Sequence, residues 1–154
     1  MIIQRLAWCA MLGLALAGCA EREPAIAPAI PPVPPELLQR AVAGDARAQF
    51  QLADHLWPAH PGDPEPLFWL RAAAVRGDAP AQASLGAVYL NGDGVPQDFL
   101  EAYAWYALAT AQGEPEAIKI QKVLHAELSE PERAWAQELA RLYSRRPRRA
   151  SAPW

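Results

Sequence analysis

The chain has 154 residues, which leaves room for one domain of ordinary size once its ends are set aside. Residues 19–144 carry nine Lys/Arg against 17 Asp/Glu, a net charge of −8, and this acidic body argues against a nucleic-acid surface, because phosphate contacts need a basic face. Alanine supplies much of the 52% apolar fraction, and small side chains with scattered Trp, Tyr and Leu suit closely packed helices better than sheets, so the expected class is all-α.

In chain order, Arg5 gives a short positive region and residues 6–17 form a run without charge. A run of that length falls short of the roughly 20 apolar residues that span a membrane as a helix, and it fits the core of a signal peptide. It ends in Leu16-Ala17-Gly18-Cys19, which resembles the lipobox of bacterial lipoproteins. The resemblance implies removal of residues 1–18, acylation of Cys19 and stable anchoring through several chains, palmitate among them. Ala20 behind it resembles the outer-membrane sorting type, so the expected location is the cell envelope, on the outer membrane facing the periplasm. Cys9 lies in the segment to be removed, and no internal disulfide is then possible.

Residues 19–35 carry the lipidated cysteine and a linker holding Pro24, Pro28, Pro31, Pro32, Pro34 and Pro35. Such a stretch is an extended polyproline-type spacer, reaching about 45 Å at about 3.1 Å per residue.

The domain proper, residues 36–144, repeats itself. Gly44-Asp45-Ala46-Arg47-Ala48-Gln49-Phe50-Gln51-Leu52 returns 33 residues later as Gly77-Asp78-Ala79-Pro80-Ala81-Gln82-Ala83-Ser84-Leu85. A third start, Gly113-Glu114-Pro115-Glu116-Ala117, follows after 36 more, and Trp69 and Trp105 each stand eight residues before the next glycine. Each unit reads as two helices. Asp78 caps the first helix of the second unit, where Leu85, Val88 and Tyr89 share a face. Asn91-Gly92-Asp93-Gly94-Val95-Pro96 turns the chain, and Asp98 caps a helix with Ala102, Trp105, Tyr106 and Ala109 on one side, ended by Gly113. Ala81, Ala102, Ala107, Ala109 and Ala111 are expected to let neighbouring helices approach closely. Ser129-Glu130-Pro131-Glu132 reads as a capping box, opening a helix whose Trp135, Leu139 and Leu142 stripe is expected to close the stack. Residues 36–43 form a half-unit in front.

Residues 83–98, with Ala102, Trp105, Tyr106, Ala109 and Gly113, resemble the Sel-1-like repeat, a relative of the tetratricopeptide repeat that forms α/α solenoids. The likeness is looser over residues 44–76, where residues 55–63 replace the family's turn and Ala53 replaces its second glycine. The resemblance implies a short all-α solenoid of helix–turn–helix repeats with a C-terminal capping helix. It also implies a groove along the first helices, here residues 47–56 and 80–90, that holds a protein or peptide. Tyr89, Trp105 and Tyr106 fall at family core positions. The candidates for partner contact are Gln51, His55, Trp57, Phe68 and Tyr103.

Chemistry is sparse. His55 and His60 are five apart in a proline-containing loop, unlike the i, i+4 pair of a helical zinc site, and no metal or cofactor is expected. No serine lies in a nucleophile motif. The expectation is a non-enzymatic, lipid-anchored interaction module whose partner is an envelope protein or peptide, with membrane contact through Cys19. Two alternatives stand beside it: an envelope enzyme acting on cell-wall material through loop 55–63, and a structural subunit that self-associates. Residues 145–154, with Arg145, Arg146, Arg148 and Arg149, read as a basic disordered tail, or as a contact for anionic lipid or polysaccharide.

Overall fold

Each recurring Gly-Asp pair ends one helix and starts the next. In the computed structural model, which describes residues 32–58 and 63–145, seven α-helices account for the regular structure. They are α1 (Pro35–Val42), α2 (Ala46–Leu56), α3 (Pro64–Val75), α4 (Ala79–Asn91), α5 (Phe99–Ala111), α6 (Pro115–Glu127) and α7 (Glu130–Arg145). The leader, Cys19, His60 and the arginine-rich end past Arg145 lie outside the described residues.

Gly77 takes φ 92°, a left-handed backbone that only glycine adopts without cost, so its N–H reaches the Ala74 carbonyl at 3.0 Å and that of Asp78 reaches Ala73 at 3.2 Å. Asp78 then turns its carboxylate onto the Ala81 N–H at 2.9 Å and opens α4. One unit earlier the same closure recurs at Gly44, with Asp45 accepting from Ala48 at 3.1 Å. The repeated glutamine completes the joint. Gln49 donates to the Ala41 carbonyl at 2.9 Å and Gln82 to Ala74 at 3.1 Å, so a buried amide ties the first helix of each unit to the end of the helix before it. Gln82 also accepts from Gln112 at 2.8 Å, across to the end of α5.

Helices pack in succession, α1 on α2 through α4 on α5, and α5 meets both α6 and α7. The core is as small-grained as its composition. Ala48, Ala73, Ala74, Ala81, Ala102, Ala104 and Ala109 are fully buried, while Trp105 and Tyr106 fill the wider gaps. Ala107 is only half-buried and Ala111 is exposed, so neither serves the close approach expected of it. Gly86 carries that role. A Cβ there would lie 3.0 Å from the Tyr106 ring, which packs directly on the α4 backbone.

The closing helix corrects a second expectation. Trp135 and Leu142 are 61% and 50% exposed, so the 135–139–142 stripe does not close the stack. The packed stripe is one residue further on, at Ala136, Ala140 and Tyr143: the two alanines are buried, and the Tyr143 ring stacks on Trp105 at 4.7 Å and 13°. Its hydroxyl donates to Glu101 Oε1 at 2.7 Å. Small side chains let α7 lie close along α5, and the larger Trp135 and Leu142 turn outward.

Candidate functional site

Phe50, Ala53 and Asp54 of α2, with Trp57 at its C-cap, form one row at helical spacing, and Ser84, Ala87 and Val88 of α4 form the other. The two rows face each other across an open hollow, with Leu70 of α3 beneath it and Asp93 of the turn after α4 at its edge. The hollow lies between the two first helices, and six of its nine lining residues fall within 47–56 and 80–90.

Its walls differ in character. Phe50 is covered by the Arg47 guanidinium, 5.3 Å from the ring centroid, and Arg47 also stands 3.6 Å from the Asp78 carboxylate. Asp54 and Asp93 are exposed, and Asn91 donates to Asp93 at 3.2 Å.

Of the residues expected at a partner surface, Trp57 lines the hollow and is half-buried. Gln51 is exposed on α2, outside the lining row, and His55 is half-buried on the same helix. Phe68 is 41% exposed on α3 and meets Trp69 edge to face at 5.1 Å. Tyr103 is 3% exposed and so presents almost no surface; its hydroxyl lies 3.3 Å from His125 Nδ1. Phe50, Asp54, Ser84 and Ala87 fall within the expected groove spans without being named as contact candidates, and Asp93 lies outside them. The signal that could have found four of them is the i, i+3, i+4 spacing on the two first helices, read for the face opposite the second helices.

The perturbed ionisable groups are structural. The Arg40 guanidinium, followed by the Ala48 N–H, holds the Asp45 carboxyl below its usual range, and the hydroxyl and N–H of Ser129 do the same for Glu132. Burial, with Glu116 nearby, pushes the Tyr106 phenol up. None of these lines the hollow. Among the described residues no three His, Cys, Asp or Glu side chains converge as metal ligands would.

Residues 79–114, which are α4, the glycine turn and α5, match the Sel1 repeat. Two solved structures share the arrangement. A protective antigen of uropathogenic Escherichia coli strains, displaying an SLR fold, is 26% identical with a TM-score of 0.63 over 70% of this chain. A Sel1 repeat protein from Oxalobacter formigenes is 28% identical with a TM-score of 0.52 over 67% of it. The chain thus carries a Sel1 repeat within a helical solenoid of the Sel1-like kind. It spans 24% of the antigen's length and 96% of the Oxalobacter protein's. No curated protein sequence matches it. The Sel1 match falls on the unit whose glycine turn contributes Asp93 and whose first helix forms one wall of the hollow. Sel1 repeats generally mediate protein–protein interaction, and the family is generally a non-catalytic scaffold.

Proposed function

We propose that this Sel1-like protein is a lipid-anchored adaptor of the cell envelope that holds a segment of a partner protein in the hollow between α2 and α4. The observation that carries the reading is the hollow itself. Successive first helices, each tied by its buried glutamine to the end of the helix before it, leave an open concave strip with apolar and aromatic side chains and two exposed carboxylates. Such a strip suits an extended or helical peptide.

The anchor rests on Leu16-Ala17-Gly18-Cys19, and the proline-rich residues that follow would hold the domain off the bilayer. No described helix is long and apolar enough to cross a membrane. On the outer membrane, facing the periplasm, the domain would meet envelope proteins.

The test pairs two measurements on the full chain in cells. Labelled palmitate should enter the native protein and not Cys19→Ala. A photo-crosslinking side chain at Ala87, in the hollow, should trap a partner that the same group at Lys122, exposed on α6, does not. Equal trapping at both positions would remove the hollow as the binding site, and crosslinks only between copies of the chain would favour a self-associating subunit.

A further inference from the structure

The hollow has a chemistry that narrows what it can hold. Its floor is apolar: Ala53, Leu70 and Val88 are at most 4% exposed. Two carboxylates reach it from separate elements, Asp54 from α2 and Asp93 from the turn after α4, and no Lys or Arg lines it. Arg47, on the same helix as Asp54, is engaged with Phe50 and Asp78. Trp57 adds an aromatic face to the wall that carries Asp54, and such a face attracts a cation through the ring quadrupole.

The floor also has a cause in the repeat. By the offsets of 33 and 36 residues, Ala53 and Leu70 stand where the matched Sel1 unit has Gly86 and Tyr106. In that unit the tyrosine ring lies against the glycine and fills the space between helices. With leucine in place of the ring, the first unit leaves room beneath the α2–α4 strip.

We propose that the hollow takes an extended partner segment in which a lysine or arginine stands beside a large apolar side chain. The proposal rests on the adaptor reading and names the partner's chemistry. The apolar side chain lies on Ala53, Leu70 and Val88, and the cation is held between Asp54 and Asp93 beside Trp57. Charge-assisted hydrogen bonds from the cation to two carboxylates on different elements fix the direction of the segment as well as its charge. An acidic or phosphorylated segment would meet two like charges and be rejected.

The test is selection from a random dodecamer peptide library displayed on phage, with the full mature chain as Cys19→Ala, in parallel with the same chain carrying Asp54→Asn and Asp93→Asn. Both aspartates are exposed and neither caps a helix, so unchanged helicity by circular dichroism checks that the fold survives. Peptides with Lys or Arg next to Leu, Phe or Trp should be enriched. A synthetic copy of the leading peptide should bind the double variant about tenfold or more weakly. It should also lose affinity between about 50 and about 300 mM salt, since exposed charges are screened.

Enriched peptides that are acidic or purely apolar, yet displaced by filling the hollow with Ala87→Trp, would overturn the basic chemistry and leave the adaptor groove standing. No enrichment, or binding that Ala87→Trp does not disturb, would overturn the groove as well. If a chain ending at Arg145 selects basic peptides and the full chain does not, the occupant is the chain's own arginine-rich segment, and the proposal of a partner fails.

Discussion

Gly86 is a residue whose missing side chain is what matters. A Cβ there would have three carbons of the Tyr106 ring at 3.0 to 3.1 Å, so the ring would have to give by a few tenths of an ångström, and it is itself buried at 4% exposure. Gly86→Ala should therefore destabilise the domain by about 1–3 kcal/mol, although alanine is the better helix former, because overpacking outweighs propensity. Chemical denaturation checks it: an unchanged or raised midpoint would mean that α4 and α5 do not pack as closely as described. The equivalent position in the first unit already holds Ala53, opposite a leucine, which is how one repeat accepts what the next cannot. Some residue roles were readable from sequence and others were not. Asp78 and Asp98 cap their helices as their position before an apolar run implies. The recurrence of Gln49 and Gln82 was visible, but their reach back to Ala41 and Ala74 was not, because it depends on where the preceding helix ends. Tyr103 was legible as an aromatic off the family pattern; its burial follows from α5 having α4, α6 and α7 packed around it, which only the three-dimensional arrangement decides.

At the scale of the element, α7 shows how one residue of phase separates a plausible face from the real one. Trp135, Leu139 and Leu142 have helical spacing and the larger apolar side chains, so hydrophobic pattern alone favours them. The seam with α5 instead selects Ala136, Ala140 and Tyr143, because alanines let the axes approach and leave the tyrosine to reach Trp105 and Glu101. Two substitutions separate the alternatives. Tyr143→Ala removes the stacked ring and the donor to a part-buried carboxylate, and should cost about 2–4 kcal/mol, somewhat less than a fully buried aromatic would. Trp135→Ala removes a ring that is 61% exposed and should stay within about 0.5 kcal/mol of the parent. Urea midpoints of the two variants decide it, and the reverse ranking would restore the 135–139–142 stripe. The start of α7 is half of what the sequence implies. Glu132 accepts from the Ser129 N–H at 2.8 Å as a capping box requires, while the Ser129 hydroxyl donates to the same carboxylate at 2.5 Å.

Over the whole molecule, helices pack mainly on their chain neighbours from α1 to α6, and α7 turns back onto α5. That explains why the sequence was informative about architecture. Local closures such as Gly77-Asp78 and a repeat offset specify a solenoid without any long-range pairing to guess. It explains equally why the hollow was not readable in detail, since its floor arises from substitutions in two units at once, Ala53 and Leu70 against Gly86 and Tyr106. A linear stack also predicts how damage spreads. A chain ending at Leu128 lacks α7 and uncovers the Trp105 face of α5, while α1, α2 and α3 keep their own neighbours. Stability in a solenoid is the sum of unit and nearest-neighbour terms, so the loss should be graded from that end. Hydrogen exchange on the shortened chain should show α5 and α6 losing most of their protection, α4 less, and α2 least. With two full units and partial ones at each end the stack is near the practical minimum of about three repeats, so the gradient should be shallow but ordered. Uniform loss across α2 to α6 would mean instead that the units fold as one cooperative block, with the Trp105–Tyr143 stack acting on the entire core rather than on its end.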